Sequence, residues 1–178
     1  MTKKFKLLKD DTTITCWGNM LYRIEALRDI GDDVKAGDKG GYIEKEGNLS
    51  HKYDCWVYDN AMVYNKAKVY DGAKVYGSAV VCGNAKVYGE ACVHESAYVS
   101  DNAQVWGKAE VFGDSWVCSN ACVFGSAKVY GNATVFGVAC VLGKAEVYDN
   151  AKVYGDSCVY GNVRLCGDMM IHGVEGTE

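Results

Sequence analysis

The chain has 178 residues, 49% of them hydrophobic, with a formal net charge of −4 and an isoelectric point near 5.4. That length holds one domain or one elongated repeat array, which excludes two catalytic domains. Mild acidity argues against a general affinity for DNA or a membrane surface, and there is no run of about 18 apolar residues to span a bilayer.

The opening MTKKFKLLKDD is basic but lacks an apolar core of signal-peptide length, so a soluble protein of the cytoplasm is expected. TITCWGNMLYRI, residues 13–24, holds two apolar-rich runs joined by Gly18-Asn19, which reads as a β-hairpin. Leu21, Ile24 and Leu27 also have helical spacing, but strand is the preferred reading of this short segment. EALRDIGDDVKAGDKGGYIEKEGNLS then runs through Gly-rich turns, with Ile43 and Leu49 expected to enter the core. Residues 1–54 are thus a β-rich N-terminal cap.

From Cys55 a six-residue phrase repeats without a slip through twenty units. Its first slot is small, Ala61, Ala67 and Ala73 through to Ala151. Its third is aliphatic, Val57 through Val159 to Leu165 and Ile171. Apolar residues two apart followed by a jump of four describe a short strand and a corner, not a helix. The fifth slot is Gly at thirteen of twenty positions and Asp at four more, residue types that tolerate positive φ. Proline is absent, as suits a backbone paired coil to coil. One unit cannot bury its Ala and Val alone, but three close a triangle, and stacked triangles make a continuous core. The expected fold is all-β, a left-handed parallel β-helix of about 6–7 triangular coils over residues 55–174. The larger Val163 and Met169 are expected to plug the far end before a polar tail, residues 175–178.

Eighteen residues per coil sort the outward side chains into three faces. The first carries Tyr70, Tyr88, Trp106, Phe124, Leu142 and Tyr160 beside Lys68, Lys86, Gln104, Cys122, Cys140 and Cys158. Flat rings beside ammonium groups suit a nucleobase and its phosphate. Tyr70, Tyr88 and Trp106 are therefore the expected base-stacking residues, and Lys68 and Lys86, with Arg23 or Arg28 from the cap, the expected phosphate partners. The second face carries Met62, Val80, Tyr98 and Trp116 beside Cys82 and Cys118, an apolar strip expected to form a homo-oligomer interface, as a trimer. The third alternates Lys74, Glu110, Lys128, Glu146 and Arg164, which reads as a solvated charge ladder.

Nine cysteines at irregular spacings, an odd number, read as reduced thiols rather than a disulfide framework. There is no CxxC pair, and Cys118 and Cys122 fall on different faces, so no metal site is expected. Hexapeptide β-helices also carry acyltransferases, which use a His near a loop or subunit cleft. Here the only histidines are His51, His94 and His172, and no loop interrupts the coils, so a non-catalytic protein is preferred.

LYRIEALRDIGDDVKAGDKGGYIEKEGNLS followed by CWVYDNA and tandem AKVYGN units resembles the β-helix proteins of phages and bacterial prophages. The resemblance implies a small non-catalytic accessory protein acting in the cytoplasm of a bacterial host. It also implies, from some such proteins, sequestration of a cyclic oligonucleotide signal of host immunity. No cofactor is implied. The alternatives left open are an acyltransferase and an assembly protein without a small-molecule ligand.

Overall fold

The computed structural model describes residues 3–176 and is a parallel β-solenoid of about seven turns, with no α-helix among those residues. Twenty strands of two or three residues, from Trp56–Val57 to Met170–Ile171, are the strand halves of the hexads. They stack in three sheets, in an order that takes every third strand. The register joins residues eighteen apart, as in Lys68↔Lys86 and Tyr98↔Trp116, so the outward columns fall on the faces expected.

Every valine of the aliphatic slot, Val57 through Val159, is buried, and the small slot is closed to solvent from Cys55 through Ser157. The small residue lets the walls approach while valine fills the space between them, so the core is one file of methyl groups. Each fifth-slot residue from Asp59 to Gly167 has positive φ, including Glu95 at 57° and Ser119 at 62°. At the Asp and Glu corners the side chain reaches the next coil: Asp59, Glu95 and Asp101 accept the N–H of Gly77, Gly113 and Ser119, each at 2.9 Å.

The cap is a hairpin of β1 (Phe5–Ile14) and β2 (Met20–Ala26), followed by β3 (Lys39–Ile43). The hairpin is present and 20–26 is strand, but residues 15–19 make a longer connection than a two-residue turn. Ile43 and Leu49 enter the core as expected. They do so by pairing with Val63 and Val69, so stacking begins before residue 55. Those pairs are twenty residues apart, two more than the repeat; Ile43 to Leu49 is the usual six positions, and the excess lies in the eight from Leu49 to Val57. Lys4 is wholly buried at this end, its Nζ donating to the carbonyls of Cys55 (2.7 Å) and Tyr53 (3.2 Å).

At the other end Val163 packs against the core, but Met169 is 49% exposed and does not seal the mouth. Val174–Gly176 is a strand paired with Cys158–Tyr160, so this sheet runs on into the polar tail. Residues 177–178 lie outside the described residues. No helix among the described residues is long and apolar enough to cross a membrane.

Candidate functional site

Strand stacking fixes the ring geometry of the first face, because one aromatic per coil must follow the separation of the coils, about 4.8 Å. Tyr70 and Tyr88 stack at 4.8 Å with planes 4° apart, Tyr88 and Trp106 at 5.6 Å, and Trp106 and Phe124 at 4.3 Å. A base inserted between two rings needs about 7 Å, twice the ~3.4 Å rise of stacked bases. Tyr88 and Trp106 therefore have both faces occupied, which removes them as base-stacking residues. Tyr70 ends the column, and no aromatic ring covers its other face among the described residues.

That end opens on a hollow of about 420 Å³ lined by Gly47, Ser50, Lys68, Val69, Tyr70 and Lys86. Lys68 and Lys86 are exposed and in register and line the same hollow, Lys68 on the rung of Tyr70 and Lys86 on the next. Burial, followed by the charges of Tyr88 and Asp71, pushes the Tyr70 phenol up from its usual 10.0, so the ring is neutral at physiological pH. The wall made by Gly47 and Ser50 is not legible in the hexads, because it belongs to the cap segment that crosses above the first rung. The hollow combines a flat apolar surface, two cations and a serine hydroxyl, which is chemistry for an anionic aromatic ligand.

The two cap arginines do not join this group. Arg23 is committed on another face: its guanidinium lies 4.2 Å from the Tyr42 ring centroid and donates to Tyr42 Oη (2.6 Å) and to the carbonyls of Gly40 (2.8 Å) and Asp59 (3.0 Å). It also pairs with Asp11 at 3.2 Å. Arg28 lies in the segment after β2 and donates to the Asp29 carbonyl at 3.1 Å. Arg23 is thus a strut between hairpin and solenoid, and its network explains why the cap sits where it does.

The second face has an intramolecular partner. Leu21 of β2 is fully buried and packs with Tyr64 and Cys82, joined by Tyr42, Met62, Val80 and Tyr98. The hairpin lies over the first half of the apolar strip, and its tip, with Trp17 and Asn19, reaches a hollow shared with Tyr98 and Ser100. Cys82 is left 7% exposed and donates to Tyr98 Oη at 3.2 Å, and burial first, then that hydrogen bond, holds the Tyr98 phenol up to about 12. Of the expected interface residues, Trp116 is open at 53% exposure, stacked on Tyr98 at 5.2 Å, and Cys118 is partly exposed. Trp17 at the tip is 78% exposed, and Ile14 and Met20 of the same hairpin are also exposed.

On the third face Lys128 pairs with Glu110 at 3.0 Å and Arg164 with Glu146 at 3.1 Å, while Lys74 turns to Asp33 of the cap at 2.6 Å. His94 is sandwiched between Tyr76 (4.5 Å) and Phe112 (4.9 Å), and burial lowers its pKa despite Glu95 and Glu110 nearby. His51 stacks on Phe5 at 4.4 Å, and its Nδ1 accepts the Lys4 N–H. Among the described residues no three His, Cys, Asp or Glu side chains converge on a point that would hold a metal ion. Of the family models and curated proteins compared with this chain, none matches it.

Proposed function

We propose that this β-solenoid is a non-catalytic binding protein that sequesters a small anionic nucleotide, of the cyclic oligonucleotide class, in a bacterial cytoplasm. The observation that carries the reading is the free face of Tyr70 at the cap end of the aromatic column, in one hollow with Lys68 and Lys86 and against the wall of Gly47 and Ser50. A base stacks on Tyr70, and its phosphates meet the two ammonium groups. The role needs occupancy in excess of the signal and no chemical step. A hollow open on one side leaves much of a nucleotide exposed, so a neighbouring subunit completes the enclosure.

The test mixes purified protein with a panel of cyclic di- and trinucleotides and recovers intact ligand after heat denaturation. Retention of one member is expected, with loss in Tyr70→Ala and Lys68→Glu and little change in Trp106→Phe. Retention of no member would refute the proposal. A second reading rests on the exposed Trp17 and Trp116, linked through Tyr98: self-association through this patch, expected as a trimer. Native mass spectrometry reports subunit number and retained ligand together, and Trp116→Glu should lower the first. An unchanged subunit number in that variant removes Trp116 from the interface.

A further inference from the structure

The lower half of the first face carries a different chemistry. Below Lys68, Lys86 and Gln104 the same outward slot is occupied by Cys122, Cys140 and Cys158, paired rung to rung in register. The Cys122 thiol leans toward the Asn120 carbonyl and the Cys140 thiol toward the Val138 carbonyl, each at 3.9 Å. These two side chains share one pose, so their sulfurs follow the separation of the strands, about 4.8 Å. Two metal–thiolate bonds of about 2.3 Å laid end to end span about 4.6 Å, which one rung of the ladder supplies.

We propose that Cys122, Cys140 and Cys158 form a two-coordinate thiolate site for a soft monovalent metal ion of the cuprous class. Tetrahedral or trigonal binding needs a third convergent ligand, which the described residues do not provide. A linear bridge between adjacent rungs needs none, and thiolates select Cu(I) over harder ions. Binding one ion M⁺ by two thiols forms two metal–sulfur bonds and releases two protons: M⁺ + 2 RSH gives [M(SR)₂]⁻ + 2 H⁺. Each thiol gives up its proton on binding, so apparent affinity climbs as pH rises. Cys140 is the shared member, able to pair upward with Cys122 or downward with Cys158.

The other cysteines supply internal controls. Cys82 and Cys118 share a column but are separated by Ser100, and Cys92 lies between Lys74 and Glu110. Neither column offers adjacent thiols among the described residues.

The experiment titrates the full chain, reduced and under nitrogen, with Cu(I) in competition with bicinchoninate, and follows proton release in weak buffer. Two protons per first ion are expected. Cys140→Ser should weaken binding by about 10²-fold or more, since it leaves two thiols two rungs apart, near twice the linear span. Cys122→Ser and Cys158→Ser each keep one adjacent pair and should bind nearly as the parent does, as should Cys118→Ser. Thr134 occupies an equivalent outward slot, so Cys140→Thr serves as a second variant if serine perturbs folding. Binding unchanged by both Cys140 substitutions would overturn the proposal. So would loss of binding in both end variants, which would mean that all three thiols act together. The outcome is independent of nucleotide retention.

Discussion

Gly113 tests the corner chemistry on which the solenoid depends. Its φ is +72°, and a Cβ placed there would lie 2.7 Å from the amide nitrogen of Gly131 in the next coil and 2.9 Å from its carbonyl oxygen. Gly113→Ala brings the left-handed backbone cost of about 1–2 kcal/mol, offset by about 0.4–1 kcal/mol from a stiffer unfolded chain. Relief of the short contact adds to the loss, so a net destabilisation of about 1 kcal/mol or more is expected. Gly113→Asp has the same backbone, but its carboxylate can accept the Gly131 N–H, as Asp101 accepts that of Ser119 at 2.9 Å. A net hydrogen bond is worth about 0.5–1.5 kcal/mol, which returns the Asp variant close to the parent. Urea unfolding at unchanged m-value should therefore place Asp above Ala by about 1 kcal/mol, a melting difference of about 2–4 °C for a chain of this size. An alanine variant as stable as the aspartate variant would refute the account of why corners are Gly or Asp.

Three further outcomes follow from burial and charge. His94 has a lowered pKa, so the unfolded chain binds its proton more readily; stability is fully present above about 6.5 and is lost as pH falls through the folded value. Replacing it by Phe, as in the Phe112 rung, should flatten the loss of melting temperature between neutral and mildly acidic solution, and an unchanged slope would exonerate this residue. Tyr98 has the opposite sign: its phenol is raised from 10.0 to about 12, so stability is complete below 10 and falls away as pH climbs toward 12. Ultraviolet titration should show a phenol that ionises late, and Tyr98→Phe should remove it. Leu21→Ala should cost about 2–5 kcal/mol of hairpin docking, and peptide mass mapping should then find Cys82 labelled by maleimide far faster than in the parent. Continued protection of Cys82 would mean that something other than the hairpin shields it.

The coils are legible in the sequence because each slot of the hexad serves a single physical purpose. Val57 and its successors point inward, Gly or Asp turns the chain, and the register of eighteen follows. Glu95 and Ser119 hold positive φ although neither type favours it, because the run of identical turns on either side leaves no other path for the chain. The cap is legible only as local elements. Leu21 has the look of an ordinary core residue, and nothing in its neighbours announces that its partners are Tyr64 and Cys82, some forty and sixty positions on. The hairpin crosses the outside of the wall, and that placement depends on Arg23 threading between Asp11, Tyr42 and the Asp59 carbonyl. A cap arginine held in this way looks, in the sequence alone, like one available to phosphate. The aromatic column differs, since its members are plain in the sequence and the limit on them is implied by the fold itself. Coils about 4.8 Å apart cannot hold rings 7 Å apart. A stacked ladder is therefore a surface with two ends, and a whole ring face is left uncovered only where the stack stops, as it does at Tyr70.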